Sequence, residues 1–93
     1  MRVVHCKRSK YTHYIGRPSV LGNPFSHLNY GLADFKVSSR EEAIEKYRER
    51  ALTQTAVMQA IRELPEEAVL GCWCKPESCH GDVIIELWNK EKA

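Results

Sequence analysis

The sequence predicts a small α/β domain with a short, at least partly parallel sheet and about three helices, and three observations carry that prediction. Residues 2–6 and 68–73 are short apolar or β-branched runs that read as strands. Between them lie two segments with helical periodicity and recognisable caps, and a third amphipathic segment follows the second strand. Strand, paired helices, strand, helix is the order of an α/β domain whose two strands are parallel neighbours.

Taken along the chain, the strand at 2–6 leads into the basic loop Lys7–Lys10. Residues 11–15 then form a second possible strand ending at Gly16. From Arg17 to Phe35 periodicity gives way to turn chemistry, with Arg17-Pro18-Ser19 followed by Gly22-Asn23-Pro24-Phe25. Gly22 can supply a positive φ, and Pro24 biases Asn23 towards extended backbone. An irregular stretch of that length in a small domain points to function.

Ser38 and Ser39 each precede a glutamate by three residues, giving two overlapping capping boxes for a helix over 40–52. Ala43, Ile44, Tyr47 and Ala51 form its apolar stripe, and Glu42 and Lys46 are an i,i+4 pair. Thr55 is the expected cap of a second helix, which turns Val57, Met58, Ile61 and Leu64 inward and stops at Pro65. Ser78 is the expected cap of the last helix, buried along Val83, Ile84, Leu87 and Trp88. Trp73 and Trp88 read as apolar anchors.

Ninety-three residues, 43% hydrophobic and 28% charged, fit a single globular domain over 1–93. No apolar run approaches the roughly 20 residues of a membrane span, and the first residues lack a signal-peptide core. The expected location is the cytoplasm, without membrane association. In that reducing setting clustered cysteines mean metal binding or reactivity more often than crosslinks. Net charge is +2 but uneven: residues 1–40 carry seven basic residues against one acid, a net +6, and residues 41–93 carry seven against eleven, a net −4. The basic half suits an anionic small molecule or nucleic acid, and mutual attraction of the two halves is the simpler alternative. Tyr11, Tyr14, Phe25, Tyr30 and Phe35 interleave with basic residues, as base stacking requires, although a domain this small needs most of them for its core.

The chemical centre is the stretch LGCWCKPESCHGD, residues 70–82. Cys72 and Cys74 are two apart on a strand, so both sulfurs tend to one face. Cys79 and His80 open a helix, where unpaired N–H groups favour a thiolate or an anion. Cys6 ends the first strand at the same sheet edge. Three chemistries compete. Cys72, Cys74, Cys79 and His80 (or Cys6) hold zinc; or three cysteines hold an iron–sulfur cluster; or Cys79 or Cys74 is a metal-free nucleophile with His80 as base and Asp82 orienting it. The bland alternative is a set of small buried thiols, with His80 and Asp82 capping the helix. In the irregular stretch, Arg17, Ser19, Gly22 and Asn23 are candidate ligand-binding residues for a phosphate or a carbonyl. His5, His13 and His27 are ordinary surface or packed histidines on this reading.

The strings Tyr14-Ile-Gly-Arg-Pro-Ser19, Gly22-Asn-Pro-Phe25, Arg40-Glu-Glu-Ala-Ile-Glu-Lys-Tyr-Arg48, Leu70-Gly-Cys-Trp-Cys74 and Cys79-His-Gly-Asp82 together resemble a small bacterial and phage family, domain of unknown function 4326. The resemblance covers almost the whole chain. It implies a compact α/β domain carried by phages and mobile elements, in which the GRP and GNPF loops form one unit with the CWC and CHGD motifs. Gly16, Arg17, Pro18, Gly22, Asn23, Pro24, Cys72, Cys74, Cys79, His80 and Asp82 are the residues it singles out. His5-Cys6 departs from the asparagine and variable residue more usual there, and the insert at 27–36 is longer and more aromatic than usual.

Two functions follow as expectations. One is a small enzyme or ligand-binding domain with a Cys/His metal or thiolate site beside a loop for a nucleotide-like anion. The other is a non-enzymatic accessory protein of a phage or mobile element, working in the host cytoplasm, that binds a host protein or nucleic acid while the cysteines brace its fold.

Overall fold

The computed structural model describes residues 1–17, 19–26, 35–75 and 77–93. Its central element is β5 (Val69–Cys72), flanked by β1 (Arg2–His5) on one side and β2 (His13–Tyr14) on the other, both parallel to it. Arg2 stands opposite Val69 and His5 opposite Cys72, so the expected parallel pairing of the two apolar runs holds. A second pair, β3 (Phe25–Ser26) and β4 (Phe35–Lys36), is also parallel and only two residues long in each strand. The 27–34 portion of the predicted insert lies outside the described residues, as do Pro18 and Pro76.

Only residues 6–12 separate β1 from β2, too few for the helical crossover that usually joins parallel strands. This segment instead lies across β5. The Tyr11 ring rests on Gly71, where an added Cβ would sit 2.6 Å from its Cγ. Thr12 then ties the segment down, its N–H donating to Val69 O at 2.8 Å and its Oγ1 accepting from Val69 N at 2.9 Å. Leu70 and Cys72 enter the core while Gly71 between them turns the other way, following the period of two along a strand.

Helix α1 (Arg40–Thr53) starts where the serines predict. Ser39 accepts from Glu42 N, and the Glu42 carboxylate reaches back to the N–H and hydroxyl of Ser38. Those bonds to Ser38, more than the Lys46 charge, hold the Glu42 carboxyl below its ordinary range. Helix α2 (Thr55–Arg62) starts one residue earlier in its capping than expected, with Gln54 as N-cap and no side-chain bond. Helix α3 (His80–Lys92) is capped by Cys79, not Ser78: the sulfur accepts from Gly81 N–H, and Asp82 accepts from Cys79 N–H. A thiol thus does the work anticipated for a hydroxyl.

The core gathers Ile15, Tyr47, Ile61, Leu70, Val83, Ile84 and Leu87 between the sheet and the helices. Arg48 joins α1 to α3 by paired bonds to Glu86 at 2.9 and 3.2 Å. Trp88 packs at the core edge with its indole N–H on Leu64 O at 2.8 Å. Trp73, expected as a second anchor, is instead exposed. Gly81 is where α3 meets the sheet, and a Cβ there would come within 2.8 Å of Val3 Cγ2 and 2.9 Å of Ile15 Cδ1. Crowding of that kind costs about 1–3 kcal/mol, against a helix-propensity gain of at most about 1 kcal/mol. Gly81→Ala is therefore expected to lower stability by about 1 kcal/mol in urea unfolding, with little change in m-value.

Candidate functional site: a cluster of three cysteines

Cys72 closes β5 and Cys79 precedes α3, and both are buried. Their sulfurs lie 3.2 Å apart, unbonded. Cys74, two residues beyond Cys72 and only partly buried, completes the cluster by hydrogen bonding to both. Of the four cysteines expected to converge at this sheet edge, Cys72, Cys74 and Cys79 bring their sulfurs together. Cys6 reaches the group through its backbone, with its N–H on Cys72 O at 2.8 Å.

Three adjacent thiols cannot all ionise, because like charges repel and burial penalises each. The hydrogen bonds decide which one does. Hydrogen bonding with Cys72 and Cys79 holds the Cys74 thiol far below the ordinary range; burial opposes this and the Arg40 guanidinium assists it. Bonding to Cys74 raises Cys72, and bonding to Cys72 and Cys74 together with burial raises Cys79. These shifts favour Cys74, the most accessible of the three, as the sulfur that ionises first.

His80 does not face this cluster as a base. It is buried, its Nε2 lies 2.7 Å from Ile15 O, and its ring packs on Tyr47 with centroids 4.9 Å apart. A carbonyl only accepts, so Nε2 carries the proton, and burial lowers the imidazole below its ordinary value and keeps it neutral. Asp82 does not orient His80 either. Its carboxylate caps Cys79 N–H and pairs with Lys75 Nζ at 3.1 Å. Among the described residues no group of three or more His, Cys, Asp or Glu side chains is arranged to hold a metal ion. The thiol pair at 3.2 Å is a hydrogen-bonded contact, tighter than the edge of a tetrahedron with zinc–sulfur bonds of about 2.3 Å.

The loop candidates form a brace. Arg17 Nη1 donates to Asn23 O at 2.6 Å, the buried Asn23 amide donates to Ala43 O at 3.1 Å, and Asn23 Oδ1 accepts from Phe25 N at 2.9 Å. Turns close at Ser19 N–Gly16 O and Gly22 N–Ser19 O, both 2.9 Å, and a Cβ on Gly22 would press on those same carbonyls at 3.0 Å. Tyr47 Oη donates to Leu21 O at 2.9 Å. Ser19 Oγ is buried with no hydrogen-bond partner among the described residues. The GRP and GNPF loops therefore join the CHGD motif through His80, with the Arg17 charge felt at that imidazole. Sequence reasoning missed Arg40, whose guanidinium lies near Cys74 and donates to Ser78 O at 3.4 Å. The capping serines that place Arg40 at the start of α1 were the available signal.

The family model described as Domain of unknown function (DUF4326) matches residues 4–90. The chain belongs to this family. An Enterobacteria phage T4 protein, "Uncharacterized 12.4 kDa protein in nrdA-td intergenic region", is similar at 38% identity over 55 residues, 56% of this chain and 51% of the relative. The match thus spans about half the length of that phage protein. No solved structure matches. No helix among the described residues is long and apolar enough to cross a membrane.

A buried neutral imidazole makes stability depend on pH in one direction. The unfolded chain takes up a proton on His80 below the ordinary value of 6.5, whereas the native chain does not. Stability is therefore expected to fall as pH drops below that point, by up to about 1.4 kcal/mol per pH unit from this residue. Urea titrations between pH 7 and pH 5 check it, and His80→Gln should flatten the slope.

Proposed function

We propose that this family member is a thiol-chemistry domain whose working group is the Cys74 thiolate, used on an anionic, nucleotide-like ligand. The arrangement of the three sulfurs carries the reading: two buried thiols cluster against a third that is partly exposed. Cys79, buried and kept protonated, is the weaker nucleophile of the candidates. A thiolate held ready at neutral pH without a neighbouring base has the electronic character of an activated cysteine. Arg40 beside Cys74, and the +6 balance of residues 1–40, favour a negatively charged ligand.

The same sulfurs support a second reading. Loss of the Cys72 and Cys79 protons would turn the cluster into three thiolate ligands for zinc or for one side of an iron–sulfur cluster, leaving a position for another donor. The similarity to a phage T4 protein supports action in a host cytoplasm for either reading.

Iodoacetamide labelling with peptide mapping tests the first reading. Cys74 is expected to alkylate before Cys6, Cys72 and Cys79, at a rate nearly flat between about pH 6 and pH 8, where an ordinary thiol with a pKa near 8.5 accelerates about tenfold per unit. A steep rise with pH at Cys74, or preferential labelling of Cys6, would overturn it. Metal and sulfide analysis of anaerobically purified protein tests the second, with stoichiometric zinc or iron as its expected result.

A further inference from the structure

On the face of the sheet crossed by residues 6–12, the large aromatic side chains are left outside the core. Trp73 is 54% exposed and Tyr11 44% exposed. They belong to one connected group. The Trp73 indole N–H donates to Tyr14 Oη at 2.8 Å, the Tyr14 ring lies 6.2 Å from that of Tyr11, and His5 meets Trp73 edge-on at 5.8 Å. Lys7 Nζ lies 5.5 Å from the centre of the Trp73 ring, within cation–π range. The rings are therefore fixed in place while remaining accessible, although an indole of this size is ordinarily drawn into the core.

The segment that carries Tyr11 bears charge of one sign. Lys7, Arg8 and Lys10 are all exposed on the segment that carries Tyr11, and residues 1–26 contain five lysines and arginines and no acid. Planar rings set among flexible cations match a ligand of flat bases joined by phosphates. An acidic protein would satisfy the charges but would leave the row of rings without a counterpart. Duplex nucleic acid would satisfy the charges but keeps its base faces stacked internally.

We infer that this face binds single-stranded nucleic acid, with bases stacking on Trp73 and Tyr11 and phosphates held by Lys7, Arg8 and Lys10. The inference is independent of the thiol reading, since none of these side chains is a cysteine. Binding would nonetheless bring the strand past Trp73, the residue between Cys72 and Cys74.

Fluorescence anisotropy with a fluorescein-labelled oligothymidylate of about 15 nucleotides, on the full chain with its cysteines intact, tests it. The single strand is expected to bind at least about tenfold more tightly than a duplex of the same length, and Trp73→Ala to weaken it about tenfold or more while Trp73→Phe keeps most of the affinity. Lys7→Ala should reduce the slope of log K against log salt by about 0.7, the value for one lost phosphate contact on a single strand. Far-UV circular dichroism and Trp88 emission report whether each variant is folded. Unchanged affinity in a folded Trp73→Ala, equal binding of the duplex, or equal competition by polyglutamate would each overturn the inference, the last in favour of an acidic protein partner. Retained alkylation of Cys74 in Trp73→Ala separates this outcome from failure of the thiol reading.

Discussion

The bond from the His80 imidazole to the Ile15 carbonyl joins the start of α3 to the irregular segment that follows β2. The described residues between Ile15 and Asn23 lie in no helix or strand, so carbonyls that the local turns leave open need partners from elsewhere. His80 supplies one at Ile15, Tyr47 one at Leu21, and Asn23 fastens the far end to α1 through Ala43. A buried carbonyl left without its donor costs about 1–3 kcal/mol, so these anchors hold a segment that would otherwise stay loose. His80 is also the first residue of α3 and follows Cys79 directly. The bond that positions the loop therefore positions the cap sulfur against Cys72.

The cysteine cluster depends on that placement for its charge. Two neighbouring thiols favour ionisation of Cys74 without a histidine base, and the surrounding charges are arranged in support: Arg40 near Cys74, and Lys75 paired with Asp82 at the start of α3. Asp82 also fills the place at the helix N-terminus that an external anion would otherwise take. The free positive charge near the sulfurs is thus concentrated on the Arg40 side.

Much of this was legible in the sequence. β1, β5, α1 and α3 follow from β-branched runs, apolar spacing and capping residues, and the three-sulfur junction follows from the spacing of Cys72, Cys74 and Cys79. What was not legible depends on tertiary surroundings. Whether His80 is a base or a buried brace turns on what lies opposite its ring, and that is Ile15, 65 residues away. The helix cap moved from Ser78 to Cys79 because a sulfur placed by the sheet can also accept an N–H, a capacity that cap preferences scarcely weight. Trp73 was misread as an anchor although strand alternation carried a contrary signal: if Cys72 and Cys74 share the inner face, the residue between them points outward.

The passage of residues 6–12 over Gly71 has a consequence for how freely this protein can vary. In most α/β folds the solvent-facing loops are separate from whatever covers the sheet, so they can drift while the scaffold stays intact. Here Tyr11 belongs both to the cover and to the exposed aromatic surface. A lineage that lengthened this segment or exchanged Gly71 for a larger residue would lift Tyr11 and uncover β5 in one step. Surface character and sheet integrity are inherited together, which narrows the mutational paths open to this end of the molecule.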